Sequence, residues 1–346
     1  MLQGVNKIGI FGVHMFFLLS GYIMAHICTT DRHAFMRRRI IRIVPSYWTM
    51  TILLYLVAAR FPYLMNATQA LPAELVKSLF FIPFQKSNGL YQPILFVGWT
   101  INYEMYFYML LGLALLIAPR RPLLLASLML LGIAGVGSFF ASSSVIARFY
   151  SDPVILEFIF GLIAYSCVAA FPAGPRQRGK YVWMGIVLAS MFLLPVIEAF
   201  NLLPSLPLVV RFGPLSFLLI TSSCLLAMAG NDLRAGLIVL IGDASYTLYL
   251  VHPYVEMVID RIIARRLPWL HIDTPLGCII AVVAAVIVSI VLYLYVEKPM
   301  LRYLTKKFCG RLRGAHAQKD GKPQESLPAE TVMPVTAKAE AVSAAQ

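Results

Sequence analysis

The sequence predicts an all-α fold, a polytopic integral membrane protein with about nine transmembrane helices. Three observations predict it. Of 346 residues, 60% are hydrophobic and 13% are charged, whereas a soluble domain carries about 25% charged residues. The mean hydropathy is +0.77. The apolar residues also gather into runs of roughly 20, the length a helix needs to cross the hydrocarbon core.

Nine such runs cover residues 8–28, 46–62, 98–118, 122–140, 153–171, 181–200, 207–229, 237–258 and 275–296. Pro45 stands just before the second and is expected to start its helix, because proline suits the first helical turn. Residues 63–97 form a longer polar-aromatic connection, expected to fold as short interfacial helices. Pro253 lies inside the eighth run and should kink it, freeing a carbonyl one turn back. From about residue 314 the chain turns rich in Ala, Lys, Glu, Pro and Gln, with few large apolar side chains. Such a tail cannot bury enough surface to fold. The expected division is a membrane domain over 1–300, then a basic and finally disordered cytoplasmic tail over 301–346. No internal repeat is evident.

Lys and Arg in the short loops set orientation. With the N-terminus outside and the C-terminus inside, the inner face collects seventeen Lys and Arg and the outer face nine. The inner set is led by Arg37, Arg38, Arg39 and Arg42. Arg261, Arg265 and Arg266 oppose the trend and call for another explanation, such as an external anionic ligand. The formal charge of +13 does not indicate nucleic acid, because the basic residues lie between apolar blocks where topology demands them. The five cysteines are isolated, with no zinc or disulfide spacing, so packing is their expected role. No cleavable signal peptide is expected, since the first apolar run is longer than a signal core and lacks a small-residue cleavage pattern.

Three constellations carry polar chemistry. In the Arg37–Arg42 cluster, Arg38 and Arg42 share a helical face at i and i+4. The plain reading is positive-inside anchoring. The functional one is an anion clamp, because guanidinium forks bind phosphate bidentately. The second constellation runs from Trp99 to Tyr108. Its aromatics suit an interfacial belt, but Asn102 and Glu104 do not, and an intramembrane acid is a functional candidate by default. Tyr108 stands one turn beyond Glu104, within reach of a hydrogen bond. In the third, Ser245, Tyr249, His252 and Glu256 fall at i, i+4, i+7 and i+11, one polar stripe on an otherwise apolar helix. A lone membrane histidine is more often a packing element than a catalyst, and the stripe as a whole favours a lined cavity. Of the other intramembrane polar residues, Glu157 and Arg211 are expected to pair across helices.

Taken together, these blocks resemble the acyltransferase-3 family of polytopic membrane O-acyltransferases. Gly12-Val13-x-x-Phe16-Phe17-x-x-Ser20-Gly21 resembles its GVDxFFxxSG signature, and Arg38-x-x-x-Arg42-Ile43-x-Pro45-x-Tyr47 its RRxxRIxPxY element. Trp99 to Tyr108 resembles WSLxxExxFY, Ser245 to His252 resembles SYSLYLxH, and Glu297-Lys298-Pro299 resembles the terminal EKP. His14, where many members have Asp, and the Trp99–Met105 block are similar to the family's exopolysaccharide-modifying branch.

The resemblance implies transfer of an acyl group, expected to be acetyl, from cytoplasmic acyl-CoA to a hydroxyl of an exopolysaccharide or lipid-linked sugar. It implies an inner-membrane location, with acyl-CoA as donor substrate and no bound cofactor or metal. It assigns Glu104 and His252 to catalysis, Arg38, Arg42 and Tyr47 to donor binding, and Trp99, Asn102, Ser245 and Tyr249 to the acceptor. An imidazole near neutral pH suits the general-base step. Members of the family also begin with a further helix carrying an Arg and then the expected catalytic His. This sequence starts after that point, so the family's general base is expected to lie outside it, and either an inactive form or a substitute histidine follows. His14, His26 and His252 are the histidines that could stand in. A transporter or flippase of a lipid-linked sugar is the alternative class, although the paired repeats common in transporters are not evident.

Overall fold

The computed structural model describes residues 9–30, 32, 35–65, 68–86, 88–140, 144–171, 179–230 and 236–319, with backbone alone at 138, 268 and 310–319. Among the described residues the chain is helical, apart from turns and one isolated antiparallel bridge between Gln85 and Tyr91. In lipid each backbone polar group must be satisfied internally, and a helix does this within a single segment.

The first helices are α1 (Ile10–Thr30), α2 (Phe35–Arg60) and the short α3 (Pro72–Leu79). The central pair is α4 (Gly98–Ile117) and α5 (Pro122–Phe140). Then α6 (Val145–Tyr150) leads through a 3-10 turn at Pro153–Leu156 into α7 (Glu157–Ala170). The next two, α8 (Lys180–Ala199) and α9 (Leu208–Met228), pack as a hairpin. The last are α10 (Gly236–Asp243), α11 (Ser245–Val258), α12 (Pro275–Leu292) and α13 (Lys298–Lys319). Single π-helical stretches follow α11 (Ile259–Ile263) and α12 (Tyr293–Glu297).

Seven of the described helical segments are long and apolar enough to cross a membrane: Ile10–Thr30, Phe35–Arg60, Gly98–Ile117, Val145–Ala170, Lys180–Ala199, Leu208–Met228 and Pro275–Cys309. The fold is thus all-α and polytopic, as the sequence predicts. The described residues give seven such segments where the sequence reading expects nine. The 122–140 run yields a shorter apolar helix over Pro122–Gly137. The 237–258 run is divided at Ala244 into α10 and α11, neither long enough alone.

Three boundaries also differ. Pro45 lies inside α2, which starts ten residues earlier than the proline suggests. Spanning helices tolerate proline where neighbouring groups compensate for its missing N–H. The Arg-Ile-rich stretch 37–44 can then carry the helix out to the membrane face. The last span runs on through the π stretch into α13, so backbone helix extends past 314 to Lys319. The remaining tail, and the loop arginines Arg176, Arg178 and Arg234, lie outside the described residues.

The connection 63–97 does form short elements. A 3-10 turn at Pro62–Leu64 and then α3 cap the end of α2. Tyr47 Oη donates to the Ser78 carbonyl at 3.2 Å, Trp48 Nε1 to Leu79 at 2.8 Å, and Ser78 Oγ accepts from the Ile94 amide at 2.9 Å.

Polar ties assign elements to faces. Arg32 donates to the Pro119 carbonyl at 2.6 Å, and Arg37 to that of Phe308 at 2.8 Å. The start of α2, the end of α4 and the middle of α13 therefore share one face, which carries the basic cluster. At the far end of α2, Tyr63 meets Arg265, which follows α11.

Small residues bring α1 and α7 together. A Cβ on Gly21 would stand 2.3 Å from the Phe158 carbonyl oxygen, and one on Gly161 2.1 Å from that of Leu18. Such close approach replaces the hydrophobic drive that lipid removes. Gly161→Ala is expected to destabilise the protein by about 1–3 kcal/mol through overpacking, whereas Gly12→Ala, with nothing within 4 Å of its added Cβ, leaves it unchanged. Thermal unfolding of both variants in detergent checks this.

Candidate active site

The site is built around α4, whose spanning window is 61% buried against 17% for that of α8. Glu104 sits on its inner wall. Its Oε1 accepts the Tyr108 hydroxyl one turn on, and the Ser20 hydroxyl of α1 at 3.4 Å. From α2, Arg39 hydrogen-bonds Tyr108, and both Arg39 and Arg42 lie within electrostatic reach of Glu104. Arg42 also faces a second buried carboxylate, Glu297, which accepts the Thr247 hydroxyl of α11. The π stretch that ends at Glu297 widens the backbone there, a common device at functional sites. Between the two carboxylates Tyr246 donates to the Ile43 carbonyl at 2.9 Å. Each carboxylate is held by hydroxyl donors, with guanidiniums within electrostatic reach but not at ion-pair distance. A buried charge is tolerated only when paired and hydrogen-bonded.

Of the residues the sequence singles out, the structure gathers Glu104, Arg42 and Tyr249. Tyr249 Oη stands 2.6 Å from Thr100 Oγ1 and 2.8 Å from the Val97 carbonyl, which ties α11 to α4 one turn from Glu104. His252 lies on the other side of that tie. Its Nδ1 is 3.2 Å from the Leu248 carbonyl, which can only accept, so Nδ1 is the donor there and in the neutral ring the lone pair falls on Nε2. Glu256, one turn on, acts on His252 electrostatically.

The other predicted residues stand elsewhere. Tyr47 is fully buried, stacked on Phe81 with ring centroids 5.3 Å apart and bonded to Ser78, so it anchors the loop cap instead of joining Arg38 and Arg42. Trp99 packs edge-on against Phe17 and Tyr103. Asn102, roughly 200° around α4 from Glu104, is buried, and its Oδ1 lacks a partner. Ser245 is exposed at the start of α11. Arg38 is half-buried beside Arg39.

The expected Glu157–Arg211 pair does not form. His14 Nδ1 takes Glu157 Oε1 at 2.8 Å, and Arg211 donates to the Ile197 carbonyl at 2.9 Å. The tight α1–α7 crossing sets His14 against Glu157 before α9 can present its arginine. Three residues with structural ties were not singled out in the sequence. Arg39 sits beside the arginine chosen on i, i+4 spacing. Thr247 is a small hydroxyl in an apolar run. Glu198, a lone acid in the sixth apolar run, accepts the Gly9 and Ile10 amides at 3.0 and 2.7 Å and so caps α1. Its isolation in that run was the available signal. Among the described residues no group of three His, Cys, Asp or Glu side chains is placed to hold a metal ion.

The Acyl_transf_3 family model, described as an acyltransferase domain, matches residues 2–294. The chain belongs to the acyltransferase-3 family. It is 30% identical over 307 residues to the exopolysaccharide production protein ExoZ of Rhizobium meliloti (strain 1021), a match covering 85% of this chain and 90% of that one. No solved structure matches the chain. The five acyltransferase-3 elements read in the sequence meet in space. Ser20 of the first touches Glu104 of the third, Arg42 of the second faces Glu104, and Glu297 of the fifth is bonded from the fourth by Thr247.

Outside the spans, burial pushes the Lys86 ammonium down from 10.5 to about 8. Its Nζ donates to Thr68 Oγ1 at 3.0 Å within the loop cap. Between pH 8 and 10.5 the unfolded chain holds this proton more tightly than the folded one, so folded stability rises with pH across that window. Amine-labelling rates should show Lys86 titrating near 8, and Lys86→Met should remove its share of the pH-dependent gain in unfolding temperature. A midpoint near 10.5 contradicts the burial argument.

Proposed function

We propose that the protein moves an acetyl group from acetyl-CoA to a hydroxyl of an exopolysaccharide or its lipid-linked precursor. The observation that carries this reading is the convergence of the five acyltransferase-3 elements on Glu104, together with a relative named for exopolysaccharide production. In this reading the Arg37–Arg42 face is cytoplasmic, the C-terminus lies on that side, and the membrane is the inner one. That orientation follows the excess of Lys and Arg in the loops of that face.

Arg38 and Arg42 receive the phosphates of the donor as it enters from that face. Glu104, fixed by Tyr108 and Ser20 and balanced by Arg39 and Arg42, orients the reacting groups. His252 Nε2 takes the proton from the acceptor hydroxyl. The resulting oxygen nucleophile attacks the thioester carbonyl. The C–S bond breaks, CoA leaves as the thiol after taking up the proton, and an O-acetyl ester remains. Tyr249 lines the acceptor's side.

Membranes carrying the chain are expected to transfer labelled acetyl from acetyl-CoA to polysaccharide. Arg38→Ala with Arg42→Ala should raise KM for acetyl-CoA about tenfold or more, because charge-assisted hydrogen bonds to phosphate are lost. His252→Ala should lower kcat by about a hundredfold or more. Unchanged donor turnover in the double arginine variant removes the clamp, and full transfer by His252→Ala places the base elsewhere.

A further inference from the structure

Arg261, Arg265 and Arg266 gather at the face opposite the basic cluster, where loop charge rules do not call for cations. The structure shows what they surround. Past Val258, α11 passes into the π stretch Ile259–Ile263, and the chain turns back with Arg265 and Arg266 on the bend. Tyr63 and Leu64, on the 3-10 turn that ends α2, stand across from them. Between the two lies a cavity of about 550 Å³, walled by the three arginines, Tyr63, Leu64 and Ile262.

Its charge is not balanced. Asp260 lies 3.6 Å from Arg261 Nε, and its other oxygen is 2.9 Å from His271 Nε2, without the alignment of a hydrogen bond. Among the described residues no carboxylate lies within ion-pair distance of Arg265 or Arg266. Arg265 is held instead over the Tyr63 ring, 5.8 Å from its centroid, which orients the guanidinium without neutralising it. The remaining wall is apolar, at the ends of the spanning helix α2 and of α11. A small soluble anion would match only the arginines. An amphiphile with a phosphate head and an alkyl chain matches the whole lining, since guanidinium forks fit phosphate oxygens bidentately.

We propose that this cavity binds the phosphate or diphosphate head of a lipid at the membrane face remote from the Arg37–Arg42 cluster. Two sources offer that chemistry. One is an anionic phospholipid of the bilayer. The other is the polyprenyl diphosphate carrying a lipid-linked acceptor, and only this second source rests on the function proposed above.

The test is equilibrium binding to the purified full chain in neutral detergent, with no acyl donor present, so that it reads independently of transferase activity. The probes are phosphatidylglycerol, a polyprenyl diphosphate, diacylglycerol and inorganic diphosphate. The expected result is that Arg265→Gln with Arg266→Gln weakens at least one phosphate-bearing lipid about tenfold or more, while Arg265→Lys with Arg266→Lys retains part of the affinity. Diacylglycerol should bind equally weakly to all forms. The lipid that loses more identifies the source. Equal binding of both phosphate-bearing lipids by the parent chain and the double Gln variant overturns the proposal, as does binding of inorganic diphosphate without either lipid. Should the double Gln variant fail to fold, Arg266→Gln alone carries the same comparison.

Discussion

The burial of Glu104 and Glu297 among the Tyr108, Ser20 and Thr247 hydroxyls, with Arg42 within electrostatic reach of both, is the constraint on which the rest of the structure depends. A carboxylate inside a bilayer-spanning bundle has no water to solvate it, and it keeps its charge only if cations and hydroxyls are brought to it. That requirement fixes α2 beside α4, draws Ser20 of α1 into contact with Glu104, and turns Thr247 towards Glu297. The cluster joins four helices and a π stretch that are far apart in sequence.

Around this centre the bundle is held by shape more than by charge. Gly21 and Gly161 let α1 and α7 approach until backbone meets backbone. That approach in turn decides the fate of the nearby ions. His14 reaches Glu157 because the two helices touch, and Arg211, left without the carboxylate, turns to a backbone carbonyl and the Phe212 ring. Glu198 spends its charge on the first amides of α1, where the helix dipole favours an anion. These acids serve architecture, whereas Glu104 sits among hydroxyls and guanidiniums able to exchange partners.

The two membrane faces are chemically unlike. On one, Arg32 and Arg37 donate to backbone carbonyls near the helix ends, as anchoring predicts. On the other, arginines stand around a cavity with one nearby carboxylate between them. The first arrangement consumes its cations and the second displays them. The difference arises from the π stretch after α11, which gathers Arg261, Arg265 and Arg266 on a single bend.

Hydropathy and composition alone determined that the chain is an all-α membrane protein, where most of its helices run, and that Glu104 with Tyr108 forms a polar centre one turn long. These are local properties, since length, apolarity and i, i+4 spacing are read along one helix. The family elements were equally legible, because each is a short run of contiguous residues. Only the tertiary structure decided which arginine serves which acid. Arg38 and Arg42 share a face by spacing, yet Arg39 and Arg42 are the ones within electrostatic reach of Glu104. Likewise only the packed bundle set His14 against Glu157 and brought Tyr63 to Arg265. A charge in lipid pairs with whatever the packing of helix backbones brings nearest, and that distance is a property of the whole bundle, not of any one segment.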